Sequence, residues 1–182
     1  MSILRHDTRH HFSILRTLIQ QGDNEKALKY LNEISQTYED TVIKTYCKNE
    51  MLNSVLSTYD MRFTERKIQW KVQAAIGGKL PCSEMMFCAI LSNVLENAMH
   101  AVQQLPEKER RIQLMLSETA GHLLLMEKNP VQEPPVFTDG IPVTERSGHG
   151  LGVRSIVYYV ESLHGQYQFF MENEEFVVRI IL

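Results

Sequence analysis

Residues 83–104, SEMMFCAILSNVLENAMHAVQQ, hold the pattern from which the fold is read. Phe87, Ile90, Leu91, Val94, Ala98 and Val102 recur three and four residues apart, the spacing of one buried helical face. Ser83 stands where an N-cap belongs, and Pro106 follows the run. A second face carries Asn93, Asn97, His100 and Gln104, polar and almost uncharged. A merely solvated face would favour Lys, Glu and Arg, which are better helix formers than Asn. Two Asn one turn apart offer amide oxygens to a hard cation and amide donors to phosphate, without a carboxylate's repulsion toward a polyphosphate. By themselves they are equally well a polar helix face with two incidental Asn.

Downstream, Ser147-Gly148-His149-Gly150-Leu151-Gly152 places three glycines at alternate positions just before a predicted helix. Backbone amides can approach a phosphate closely there, and a helix N-terminus favours negative charge. A lone glycine loop is a weak signal whose plain alternative is a turn; beside the Asn helix it points to phosphate chemistry.

The rest of the chain supplies a frame for these two elements. Leu4, Phe12, Leu15, Leu18 and Ile19 fall near helical spacing, Gly22-Asp23-Asn24 interrupts, and Leu28, Leu31, Ile34, Tyr38 and Thr41 resume it. Residues 3–47 therefore read as an αα-hairpin. Two helices cannot bury their apolar faces alone, so pairing of two hairpins into a four-helix bundle, a homodimer, is expected. A further helix spans Leu52 to Phe63, and Lys67 to Ala75 alternates like a half-buried strand. Strands are predicted at 111–117, 122–127, 166–172 and 175–182, and a helix at 151–163. The stretch 129–150 holds four of the six prolines and reads as a long loop, a common setting for a functional lid. The expected fold class is α+β: an N-terminal hairpin in residues 1–48, then in residues 49–182 a two-layer α/β sandwich with helices on one face of a mixed sheet.

Bulk composition agrees. The 182 residues are 43% hydrophobic and 23% charged, as in an ordinary globular chain, and a net charge of −3 gives no basic field for nucleic acid. Cys47, Cys82 and Cys88 form neither a CxxC pair nor a zinc pattern and read as reduced thiols. Neither a run of about 18 apolar residues nor a signal-peptide core is present. The expected setting is cytoplasmic without direct membrane contact, and the segment is read as a fragment.

NVLENA (Asn93 to Ala98) resembles the N box, and GHGLGVRSI (Gly148 to Ile156) the G2 box, of the GHKL superfamily, whose Bergerat-fold ATP sites occur in gyrase and histidine kinases. RHD followed by RHH (Arg5 to His11), ahead of a hairpin, resembles the H box of Agr-type peptide-quorum-sensing histidine kinases. The likeness covers nearly the whole chain. It implies a sensor kinase core that autophosphorylates a histidine from ATP with Mg2+ and passes the phosphoryl group to an aspartate of a response regulator. The parent chain would be membrane-anchored. His6 is the implied phosphoacceptor and Asn97 the magnesium ligand, with Asn93 beside it. Gly148, His149, Gly150, Leu151 and Gly152 are implied around the phosphates, and His100 stands where many histidine kinases have a Lys facing them. The usual DxGxG motif is absent; Asn129, in MEKNP, stands where its adenine-reading Asp would be. A neutral amide accepts the adenine amino hydrogen without charge assistance, so low ATP affinity is expected.

The chemistry at His6 follows from its neighbours. Imidazole is partly unprotonated at neutral pH, with an ordinary pKa of ~6.5. One ring nitrogen would attack the γ-phosphorus while Asp7 holds the other N–H and stabilises the charge that develops. His10 lies one helical turn beyond, where related kinases carry a residue that positions water for phosphate removal, and His11 is its rival. The plain alternative for these histidines is an exposed basic turn or a His-xxx-His metal pair. Two other functions compete: a degenerate GHKL member that binds nucleotide weakly as a dimeric interaction module, and a GHKL ATPase. The ATPase needs a Glu base where Asn93 stands, and Asn cannot take a proton from water.

Overall fold

The computed structural model describes residues 13–36, 44–143 and 151–182. The chain divides into two compact units, Met1–Val42 and Ile43–Leu182.

In the first unit, residues 13–20 are helical (α1) and a second helix, α2, runs Asn24–Gln36. The break between them is built from local chemistry. Gly22 adopts φ +74, Asp23 N–H donates to the Leu18 carbonyl and Gly22 N–H to that of Ile19. This Schellman arrangement needs a left-handed residue, which glycine supplies without a Cβ penalty. Asp23 then caps α2, its Oδ1 accepting from Lys26 N–H at 3.4 Å. Ala27 is buried, whereas Ile19, Leu28 and Leu31 are exposed.

The second unit opens with α3 (Glu50–Glu65). It is followed by β1 (Gln69–Ala75), α4 (Glu84–Val102) and a 3-10 turn at Glu107–Glu109. Then come β2 (Arg111–Thr119), β3 (His122–Pro130), β4 (Val136–Thr138) and β5 (Ile141–Val143). The chain closes with α5 (Leu151–Ser162), β6 (Gln166–Glu172) and β7 (Glu175–Ile181). Five strands form one mixed sheet in the order β1-β2-β3-β7-β6, with β1 parallel to β2 and every other pairing antiparallel. The three tight hairpins share one geometry. Ala120-Gly121, Asp139-Gly140 and Asn173-Glu174 all have positive φ at both central residues, which matches the twist of the flanking strands.

The core lies between the sheet and its helices. Ile112, Leu114 and Leu116 of β2, Leu123 and Leu125 of β3, and Val178 and Ile180 of β7 meet Phe87, Ile90, Leu91, Val94 and Leu95 of α4, with Ile156 and Val160 of α5. Each is nearly or fully buried, and burying one such side chain contributes about 1.5–3 kcal/mol. By length and composition α4 would also pass as a membrane span, but its apolar face is part of this core. Asn49 ties the helices together. It is 2% exposed; its Oδ1 accepts from Leu52 N–H at 3.0 Å as the cap of α3, and its Nδ2 donates to the Gly78 carbonyl at 2.8 Å and to Glu84 Oε1 at 2.9 Å. Cys47, Cys82 and Cys88 are free thiols.

Two expectations need correction. The strand predicted to end at residue 127 continues to Pro130, so Asn129 pairs with Phe176 inside the sheet instead of opening a loop. The stretch expected as an aperiodic loop also contains the β4–β5 hairpin, anchored by Phe137 stacked 6.4 Å from Phe176. The Asp139-Gly140 pair was the signal for it, because that dipeptide favours the turn a two-residue hairpin requires.

Candidate functional site

Helix α4 packs against α5, and the contact between them is close because one member is glycine. A Cβ placed on Gly152 would lie 2.7 Å from Asn97 Oδ1, 3.2 Å from its Nδ2 and 3.3 Å from its Cγ. Real Cβ atoms do not approach so near. Gly152 is the second residue of α5, so the Asn97 amide lies at the helix end where unpaired N–H groups and the macrodipole favour an anion. The two halves of the expected phosphate site, 55 residues apart in sequence, are therefore neighbours.

The other candidates are placed as follows. Asn93 lies one turn before Asn97 and is half-buried; its Nδ2 donates to the Ala89 carbonyl at 2.8 Å, and its Oδ1 is an acceptor. His100 stands over Glu96, its Nε2 3.3 Å from Oε1. Asn129 is 1% exposed on β3, its Nδ2 donating to the Pro130 carbonyl at 2.7 Å. His6, Asp7, His10, Gly148, His149 and Gly150 lie outside the described residues, as does the side chain of Leu151.

Glu96 anchors the helix face next to the site. Arg62 Nη1 donates to its Oε2 at 2.6 Å and Nη2 to its Oε1 at 3.0 Å, and the Tyr59 hydroxyl reaches Oε2 at 3.1 Å. Partial burial pushes this carboxyl upward, but the Arg62 guanidinium, the Tyr59 hydroxyl and the nearby His100 together hold it below the usual range. Tyr59 is itself pushed up to about 12 by burial and by the Glu96 charge.

One group on the strand that carries Asn129 was not expected from the sequence. Leu123, Leu125, Glu127 and Asn129 alternate as the buried face of β3, so Glu127 occupies a position where the pattern calls for an apolar side chain. It is 1% exposed and neither carboxyl oxygen has a hydrogen-bond partner. Burial, with a smaller push from Glu175, drives its pKa well above the usual value and so favours the neutral acid. Leaving such a group unpaired costs about 1–3 kcal/mol. The period of two through Leu123 and Leu125 was the clue.

A family model described as the GHKL domain matches residues 83–182, from the N-cap of α4 through the last strand. The chain belongs to the GHKL family. Its fold is similar to solved histidine kinases. The nucleotide-free catalytic domain of histidine kinase ThkA aligns at 14% identity and TM-score 0.58, over 73% of this chain and 89% of that one. Histidine kinase AdeS from Acinetobacter baumannii aligns at 13% identity and TM-score 0.54, over 97% and 96%. The mycobacterial sensor histidine kinase MprB aligns at 19% and 0.51, over 72% and 93%. Likeness at these identities concerns the fold. Among curated proteins none matches the sequence.

The residues present fit a GHKL nucleotide site in two respects. The Asn97 amide faces a helix N-terminus across a glycine that leaves room for it, and β3 offers polar, buried side chains at 127 and 129 in an otherwise apolar layer.

Proposed function

We propose that this chain is the core of an Agr-type sensor histidine kinase, which autophosphorylates His6 from ATP and passes the phosphoryl group to an aspartate of a response regulator. The approach of Asn97 to Gly152 carries this reading, because it joins a cation-binding amide to an anion-binding helix end. Asn97 would hold Mg2+, which neutralises phosphate charge when bound. Asn93, His100 and the glycines of 148–152 would surround the phosphates, and Asn129 would accept from the adenine amino group.

At the acceptor, one nitrogen of His6 attacks the γ-phosphorus, the bond to the β-bridging oxygen breaks, and ADP leaves. The proton on the other ring nitrogen is held by Asp7. His10 then serves phosphate removal. Residues 1–48 would form the phosphotransfer hairpin and residues 49–182 the catalytic domain. Exposure of Ile19, Leu28 and Leu31 supports pairing of two hairpins, since an apolar stripe left in water favours a partner. A cytoplasmic location beneath a membrane-anchored sensor fits this role.

The test is incubation with labelled ATP and magnesium, comparing wild type with His6→Gln and Asn97→Ala. Acid-labile, alkali-stable label lost in both variants is expected. Label that survives in His6→Gln moves the acceptor to another histidine. ATP bound by wild type without any label supports the second reading, a nucleotide-binding interaction module, which the uncharged Asn129 favours.

A further inference from the structure

Adenine presents a distinctive edge: two N6 hydrogens to donate and, beside them, N1 to accept. Asn129 can serve only part of it. One of its two Nδ2 hydrogens goes to the Pro130 carbonyl, and what remains, Oδ1 and the second amide hydrogen, can serve only one side of the N6 amino group. The second N6 hydrogen and N1 together need an acceptor and a donor side by side. An ionised carboxylate offers acceptors alone, whereas a protonated one offers both.

Glu127 is such a group. It shares the buried face of β3 with Asn129, two positions away and about 7 Å along the strand. Both of its oxygens lack a partner in a layer where buried polar atoms are almost always paired. Buried without a hydrogen-bond partner or a counter-charge, the carboxyl is favoured in its neutral form over the charged one. Helix α4, which bears Asn97, packs over the same strand. From this arrangement we infer that Glu127 is a specificity-determining residue of the nucleotide site, pairing as a neutral carboxylic acid with N1 and N6 of adenine while Asn129 takes the remaining N6 hydrogen. The inference rests on the nucleotide-binding reading above and extends it. The pair also selects against guanine, whose O6 would face the Asn129 oxygen, acceptor against acceptor. A neutral acid thus supplies the donor that the missing motif's charged Asp would not.

The test titrates the full chain with ATP, 1-deaza-ATP, which lacks the N1 acceptor, and purine riboside triphosphate, which lacks the N6 amino group. Wild type should bind each analogue at least about tenfold more weakly than ATP, because a buried group built to pair is left unpaired. Glu127→Gln, which keeps an acceptor and a donor side by side, should stay within about threefold of wild type for ATP. Glu127→Leu should lose about tenfold or more for ATP and should no longer distinguish ATP from 1-deaza-ATP. Equal binding of ATP and 1-deaza-ATP by wild type overturns the inference without any variant, as does a folded Glu127→Leu that still discriminates between them. Failure of wild type to bind ATP or ADP at all sinks the nucleotide reading and this inference with it, whereas ATP binding indifferent to N1 sinks the inference alone.

Discussion

Arg62 on α3 holds Glu96 on α4 through a two-pronged ion pair of 2.6 and 3.0 Å, and Glu96 immediately precedes Asn97. The bridge pins the neighbouring helix one residue from the amide that meets Gly152. It thereby links the framework of the second unit to the site. Both side chains are about one-third exposed, at 32% and 34%, so solvent screens much of the attraction.

Arg62→Met should cost about 1 kcal/mol at neutral pH, read by urea unfolding. The sign of the pH dependence follows from the carboxyl. Glu96 is held below its ordinary value of 4.5 in the folded state, so its contribution is present above that value and is lost as pH falls through the lower, folded one. The difference between wild type and variant should shrink in acid. A difference that stays constant would assign the effect to packing of the Arg stem.

Gly152→Ala separates site geometry from stability. The added methyl would meet the Asn97 amide at 2.7 Å and displace it. Alanine is the better helix former by about 0.5–1 kcal/mol, so the melting temperature should hold or rise. ATP affinity should fall about tenfold, because a misplaced ligand group loses charge-assisted contacts. Thermal melts and nucleotide titration on the same preparation check both halves.

Glu127 gives the opposite pH behaviour from Glu96. Its folded pKa lies well above the ordinary 4.5, so its neutral form is compatible with the fold. The corresponding stability is fully present below the ordinary value and is lost as pH rises toward the folded one. Glu127→Leu should flatten this decline and stabilise the ligand-free protein by about 1–3 kcal/mol at mildly alkaline pH, since it removes an unpaired buried polar group. Urea unfolding across that pH range, wild type against variant, measures it. Destabilisation at every pH would mean that the carboxyl is structurally required.

Asn49→Ala removes a helix cap and two further hydrogen bonds, leaving the Gly78 carbonyl and Glu84 without this donor. A loss of about 2–3 kcal/mol is expected by thermal or urea unfolding. Asn49→Asp keeps the cap to Leu52 but sets a carboxylate oxygen against the Gly78 carbonyl and the Glu84 carboxyl, acceptor against acceptor, and so should be at least as destabilising as the alanine variant.

How much of this was legible beforehand depends on the range of the interactions. The helical stripe of α4, its Ser83 cap, the strand alternations, the turn at Gly22 and the paired N-box and G2-box motifs are local patterns, set by backbone period, capping and left-handed glycine geometry within a few residues. They sufficed for the α+β class and for Asn97 and Gly152 as candidates. The β4–β5 hairpin was legible in principle from Asp139-Gly140, but four prolines in the stretch masked it.

Three features depended on contacts distant in sequence, and tertiary structure alone decided them. The approach of Asn97 to Gly152 depends on how α4 packs on α5. The extension of β3 through Asn129 depends on pairing with Phe176 of β7, since Asn and Pro are both poor strand formers unless a neighbouring strand holds them. The raised pKa of Glu127 depends on which layers close over it, because burial is a property of surroundings and not of residue type.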